Sequence, residues 1–306
     1  MSVVSENGVR VGSEFVSQLR LMAVHAHPDD ESSKGAATLA RYASEGVDVL
    51  VATCTGGERG DIVNPRLAGT VHLMKDLPEI RRREMAAAQE ILGVGHRWLG
   101  FVDSGMPHGG RLPAGSFAAT DLGAAAHPLV DLVRTFRPHV MTTYDESGGY
   151  PHPDHIMCHR ISVHAFEAAG DPERYASLGT PWQPLKLYYS RAHSRARAAS
   201  LRDAMLRAGR SPAYVWSEGA ARPNGREFTT RVVCDRWFDV RDRALRAHET
   251  QVDPHGFWFS VPTEVQRAAW PTEEYELARS FVDTAVPEDD LFAGVRVSAD
   301  EARGGR

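Results

Sequence analysis

Between Leu21 and Thr53 the chain passes through an apolar run, a helical pattern closed by a glycine and a second apolar run. Leu21-Met22-Ala23-Val24 reads as a buried strand. Asp30 and Ser32 carry N-cap chemistry for a helix through Ala36, Leu39, Ala40 and Ala43, and Gly46, free to adopt positive φ, stops it. Val47 to Thr53 is β-branched and apolar and reads as a second strand. Strand, helix and strand in so short a stretch are the βαβ signature of a parallel sheet.

The pattern recurs. Pro78 suits a first helical turn, and Ile80 to Leu92 continues as a helix closed by Gly93. Trp98 to Phe101 follows as a strand, Leu129 to Phe136 as a helix stopped by Pro138, and Val140 to Thr143 as the next strand. That strand runs into a Gly/Pro-rich loop, Tyr144 to Pro153, and a helix from Asp154 to Ala168. Further on, Leu185 to Tyr189 and Thr229 to Val233 look like strands, and Arg195 to Ala208, Arg241 to His248 and Glu264 to Trp270 look helical. The expected architecture is α/β: a Rossmann-like, mostly parallel sheet flanked by helices, with a C-terminal α+β elaboration. The 306 residues suffice for one such domain, placed at 19–297 between a mobile extension (1–18) and a flexible tail (298–306).

The balance of charge narrows the partners. A formal net charge of −5 leaves no basic footprint for nucleic acid, and the Arg-rich stretch from Arg191 to Arg210 reads as a solvated helix face. No apolar run is long enough for a membrane span, and the first residues lack the pattern of a secretory signal. Three scattered cysteines, Cys54, Cys158 and Cys234, make no CxxC pair and suit a reducing cytoplasm.

Chemistry enters at two short blocks, His27-Pro28-Asp29-Asp30 and His152-Pro153-Asp154-His155. Each follows a strand-like run and precedes a helix. In open parallel sheets, ligands bind beyond the carboxyl ends of strands, so the two blocks can meet on one edge despite their separation. Together they offer three imidazoles and three carboxylates. Catalytic zinc takes three protein ligands and keeps one position open, so two His and one Asp would hold the metal. The groups left over would move protons, the arrangement of metal-assisted hydrolysis. Pro28 restricts the turn and helps the neighbouring Asp29 and Asp30 side chains diverge.

Ala26-His27-Pro28-Asp29-Asp30-Glu31 together with His152-Pro153-Asp154-His155 resembles the LmbE-like (PIG-L) family of zinc N-deacetylases and amidases, over about Leu21 to Gly294. Val24 to Gly35, Thr55 to Gly60, Met141 to Glu146 and Arg246 to Gln251 are similar to the branch of that family that cleaves S-conjugates of mycothiol. The resemblance implies one Zn2+ per chain on His27, Asp30 and His155, with Fe2+ able to take the same ligands. It implies Asp29 as general base, His152 as the imidazole assisting at the oxyanion or leaving group, Asp154 as the carboxylate orienting it, and Tyr150 as a mobile tyrosine near the reacting carbonyl. Lys34 is implied to help select the thiol conjugate, and Glu58, Arg81 or Arg82, and Asp103 to contact sugar and inositol hydroxyls. The implied substrate is a small thiol conjugate containing glucosaminyl-inositol. Its amide would be cleaved to a mercapturic acid and the pseudodisaccharide amine, with neither nucleic acid nor membrane as partner. Val71 to Asp76 and Gly170 to Gly225 match that branch weakly, which leaves general detoxification and a dedicated natural-product pathway, such as lincosamide maturation, both open. The alternative reaction is zinc-dependent N-deacetylation of an N-acetylglucosaminyl-inositol.

Plainer readings stand beside these. Asp29 and Asp30 could merely cap a helix, and only the second block argues strongly for a metal. His25 reads as a packing residue and His159 as structural, because the residues between His155 and His159 lack the glutamate of the metalloprotease motif. Thr55-Gly56-Gly57 lacks the company of a nucleotide-binding pattern.

Overall fold

The computed structural model describes residues 18–67, 69–107, 110–190, 194–212 and 228–295, so the expected extension and tail fall almost wholly outside it. Its strands are β1 (Arg20–His25), β2 (Asp48–Thr55), β3 (Gly95–Phe101), β4 (Val140–Thr143), β5 (Lys186–Ser190), β6 (Thr230–Val233) and β7 (Thr272–Ser280). The helices are α1 (Asp30–Ser33), α2 (Ala36–Ser44), α3 (Val71–Leu92), α4 (Leu122–Phe136), α5 (Pro153–Ala168), α6 (Arg195–Arg207), α7 (Phe238–Ala247) and α8 (Thr263–Ala269). All seven strands form one sheet in the order β3-β2-β1-β4-β5-β7-β6. β1 to β5 run parallel, and β7 and β6 continue the sheet antiparallel. The strand order reverses between β1 and β4, the place beyond whose strand ends open parallel sheets bind their ligands. The first block follows β1 and the second follows β4, so the topology brings both to the reversal point.

Alternation along β1 divides the core. Met22 and Val24 pack with Leu50, Met141, Leu129, Val133 and Ile161 on one face. Leu21 and Ala23 pack with Val49, Val51, Val140, Tyr42, Met85 and Phe292 on the other. Helices cover both faces, which is why the central strands read as unbroken apolar runs rather than alternating ones. Among the described residues no helix is long and apolar enough to cross a membrane.

Three elements differ from expectation. The helix after the first block is two helices, broken at Lys34–Gly35. Gly35 has φ +96°, and a Cβ there would lie 2.8 Å from the Tyr275 hydroxyl. α3 begins at Val71 and carries Pro78 in its interior rather than at its start. Proline removes one N–H from a helix, but it does not forbid the turn before it, and Leu77 is buried there. The strand expected at Leu185 to Tyr189 is β5, the fifth parallel strand of the sheet. β7 was unexpected because Thr272-Glu273-Glu274-Tyr275-Glu276 is too acidic to read as a strand. Its carboxylates find partners only in the fold. Glu273 accepts from Ala37 N (3.3 Å), Thr38 N (2.9 Å) and Thr38 Oγ1 (2.7 Å), capping α2, which has no side-chain cap of its own.

Candidate metal centre and catalytic pocket

The turn after β1 is held by hydrogen bonds from several directions. Ala26 N–H donates to the Tyr144 hydroxyl (2.8 Å), and His27 N–H donates to Asp30 Oδ2 (3.0 Å). Asp29 sits at φ +100°, in the left-handed region. Aspartate tolerates that region better than most residues, yet a non-glycine residue there costs on the order of 1–3 kcal/mol and persists only where its surroundings fix it. This torsion is what separates the neighbouring carboxylates. Asp30 is buried and turned to the imidazoles, whereas Asp29 is partly exposed and lies 3.8 Å from Arg81.

The second block is positioned from both ends. Gly148 has φ +71°, and a Cβ on it would come within 2.6 Å of His155 Cβ. Its carbonyl accepts from His155 Nδ1 (2.9 Å), so that nitrogen carries the proton. His155 Nε2 keeps its lone pair, is buried without a hydrogen-bond partner, and lies 3.4 Å from Asp30 Oδ2. His152 is the N-cap of α5: its Nδ1 accepts from Asp154 N–H (3.2 Å). The proton of neutral His152 therefore sits on Nε2. Burial, and then the neighbouring His27 and His155, push its pKa down to about 4.

His27 links the two blocks. Its Nδ1 is 3.5 Å from Asp30 Oδ2, and its Nε2 is 3.4 Å from both Asp103 Oδ1 and Asp154 Oδ2. Burial disfavours a charged His27, but the hydrogen bonds its ring donates to Asp103, Asp154 and Asp30 outweigh that and raise the pKa well above the usual value. Burial likewise opposes an ionised Asp30, and Lys34, with the hydrogen bond from His27, overcomes it, so the carboxyl lies well below its usual range. Asp29 is shifted the other way: its recessed position raises its pKa, with Arg81 working against the shift.

These donors fit a divalent cation. An orphaned imidazole lone pair, two more imidazoles and a surplus of buried carboxylate converge. Among the described residues, His27, His152 and His155 bring one ligand atom each within 4.8 Å of one another, as do His27, Asp103 and Asp154. Asp30 touches both His27 and His155. The carboxylates on His27 Nε2 also match the outer partner that a metal-bound histidine uses to fix its tautomer.

Other expected residues have distinct placements. Lys34 Nζ bonds Asp30 Oδ1 (2.5 Å) and lies 5.8 Å from the Tyr144 ring centre. The Asp154 carboxylate faces His27 and Ser104; only its backbone N–H reaches His152. Tyr150 is exposed, with its ring 4.6 Å from that of His155. Glu58 accepts from Gly56 N (3.1 Å) and Asp103 N (3.0 Å), and Asp103 accepts from Arg59 N (3.0 Å) and Gly105 N (2.8 Å), so both organise the loops at the pocket wall. Arg81 is buried and donates to Gly57 O (2.9 Å) and Pro28 O (2.7 Å), while Arg82 is exposed on α3. His159 Nδ1 donates to Tyr144 O (3.0 Å). Both ring nitrogens of the buried His25 lack hydrogen-bond partners.

Four further residues contribute without having been singled out. The Tyr144 hydroxyl donates to Asp30 Oδ2 (2.6 Å), and burial, then Asp30, raise its pKa well above the ordinary, so it remains a donor. Ser104 N–H donates to Asp154 Oδ2 (2.8 Å). Glu31 and His248 form a fully buried pair at 2.7 Å. Tyr144, Glu31 and His248 each lie inside a stretch that carried the resemblance, but no spacing rule assigns them partners.

The family described as PIG-L, GlcNAc-PI de-N-acetylase, matches residues 22–166. Mycothiol S-conjugate amidase of Streptomyces coelicolor is 58% identical over 295 residues, covering 93% of this chain and 100% of that protein. The 1D-myo-inositol 2-acetamido-2-deoxy-alpha-D-glucopyranoside deacetylase of Streptomyces avermitilis is 43% identical over 292 residues, covering 90% and 97%. Among solved structures, N,N'-diacetylchitobiose deacetylase from Pyrococcus horikoshii superposes with a TM-score of 0.58 at 16% identity, covering 85% of this chain and 84% of that one. With identity of this order along nearly its whole length, the chain belongs to the PIG-L family.

Proposed function

We propose that this chain is a zinc-dependent amidase that hydrolyses mycothiol S-conjugates to an N-acetylcysteine S-conjugate and glucosaminyl-inositol. The observation that carries this reading is the identity of 58% to an amidase of that name, against 43% to a deacetylase acting on a related amino sugar. His27, Asp30 and His155 would hold the zinc, which would supply Lewis acidity toward water and the amide carbonyl. Asp29, partly exposed and with a raised pKa, takes the proton of the attacking water. His152 presents an N–H from Nε2 while Asp154 N–H occupies Nδ1, so it donates a hydrogen bond to the carbonyl oxygen as negative charge develops. Lys34 neutralises Asp30 and borders the pocket, where it helps select the conjugate. Tyr150, on the exposed side, closes over the bound amide. Three buried free cysteines accord with reaction in the reducing cytoplasm.

The test compares two substrates on the zinc-loaded protein: a bimane conjugate of mycothiol and N-acetylglucosaminyl-inositol. The conjugate is expected to be cleaved with the higher kcat/KM. Faster acetate release from the second substrate would reverse the assignment in favour of the deacetylase reading, which shares every metal ligand.

A further inference from the structure

We propose that Glu31 and His248 are a positioning pair for Asp29, holding its backbone in the left-handed conformation that turns its carboxylate into the pocket. This rests on Asp29 being the group that takes the proton from water.

The torsion φ of Asp29 is set by the peptide plane before it and the one after it, and both are pinned. In the preceding plane, Pro28 O accepts from Arg81 (2.7 Å) and Asp29 N–H donates to Glu31 Oε2 (2.9 Å). In the following plane, Asp29 O accepts from Ser32 N (3.1 Å) and Ser33 N (3.0 Å). Glu31 is thus the acceptor that keeps the Asp29 N–H from rotating away. Its other oxygen is held by His248 Nε2 (2.7 Å), 217 residues away in sequence, and by the Ser32 hydroxyl (2.5 Å). Both Glu31 and His248 are 0% exposed.

His248 is fixed in turn. It is the C-cap of α7, and Thr250 just beyond it donates from its N–H (2.7 Å) and hydroxyl (2.8 Å) to Glu84. Glu84 stands one turn from Arg81 on α3, so one helix grips both Pro28 and the segment that carries His248. The circuit closes on Asp29. Stability alone does not explain it, because a fully buried ion pair is often no better for stability than apolar residues of similar size.

The experiment uses the zinc-loaded full chain. In crystals of His248→Phe, Asp29 is expected to leave the left-handed region and move away from Arg81, with His27, Asp30 and His155 unmoved and one zinc retained. On the bimane conjugate, kcat is expected to fall about 10- to 100-fold with KM unchanged. His248→Gln, whose amide can still donate to Glu31, should recover most of that loss and serves if the Phe variant folds poorly. In an Asp29→Ala background, His248→Phe should cost no further rate. An unchanged Asp29 φ in the His248→Phe crystals, or a full additional rate loss in the Asp29→Ala background, overturns the proposal. Wild-type protein inert toward the conjugate would count against the substrate reading alone, because the crystallographic outcome still decides this one.

Discussion

Asp29 and Asp30 are chemically the same residue, and one torsion gives them opposite surroundings. Asp30 is ringed by Lys34, Tyr144, His27 and His155, all of which favour its ionised form or its role as ligand. Asp29 faces the pocket with a raised pKa. Replacing Asp29 by Ala is therefore expected to lower kcat by about a hundredfold or more while zinc content, read by atomic absorption, stays near one per chain. His155→Ala removes an imidazole whose unpartnered Nε2 lies beside Asp30, so on the proposed ligand set zinc and activity should be lost together. Stoichiometric zinc in the His155→Ala protein would remove that residue from the ligand set. At this scale the sequence was informative about residue types but not about partners. Asp154 was expected beside His152, and its carboxylate faces His27 because the first turn of α5 lifts its backbone N–H, not its side chain, to the imidazole.

Two elements depend on contacts that no local pattern contains. α2 begins after Gly35 with bare N–H groups, and Glu273 of β7 supplies the missing acceptors from 235 residues away. Glu273→Ala should destabilise the fold by about 2 kcal/mol in urea unfolding, and Glu273→Gln by less, since an amide oxygen still caps but carries no charge toward the helix dipole. Between α4 and β4, His139 Nδ1 accepts from Arg20 N–H at the start of β1 (3.1 Å). Burial and the nearby Arg20 push its pKa down from 6.5 to about 4. The unfolded chain then binds a proton that the folded chain refuses. The stabilisation is fully present above pH 6.5 and declines as pH falls toward about 4. His139→Gln should flatten that part of the stability–pH curve, and a curve of unchanged slope would remove His139 as its source.

Across the whole molecule, the antiparallel end of the sheet is joined to the C-terminal segment by one buried cluster. Lys186 Nζ bonds Glu288 Oε1 (2.5 Å), and Glu288 Oε2 accepts from Tyr188 (2.6 Å) and Thr230 (2.7 Å). Glu288→Ala leaves Lys186 buried without its counter-charge and should cost about 3–5 kcal/mol, whereas Lys186→Met with Glu288→Leu should cost much less. Equal losses in the two proteins, measured by chemical denaturation, would show that the pair is not the source. The sequence by itself determined the parallel core, from Leu21 through Thr143, because its central strands, buried on both faces, are apolar runs and Gly46, Gly93 and Pro138 stand just past the helices between them. It also determined that His27, Asp30, His152 and His155 stand beyond strand ends, since the first block directly follows β1 and the second closes the loop that leaves β4. Only the tertiary structure decided that β7 is a strand, that Asp29 turns away from Asp30, and that Glu31 finds His248. A charged residue is acceptable in an interior only when its partner arrives, and that partner is set by how distant segments pack, not by its neighbours in the chain.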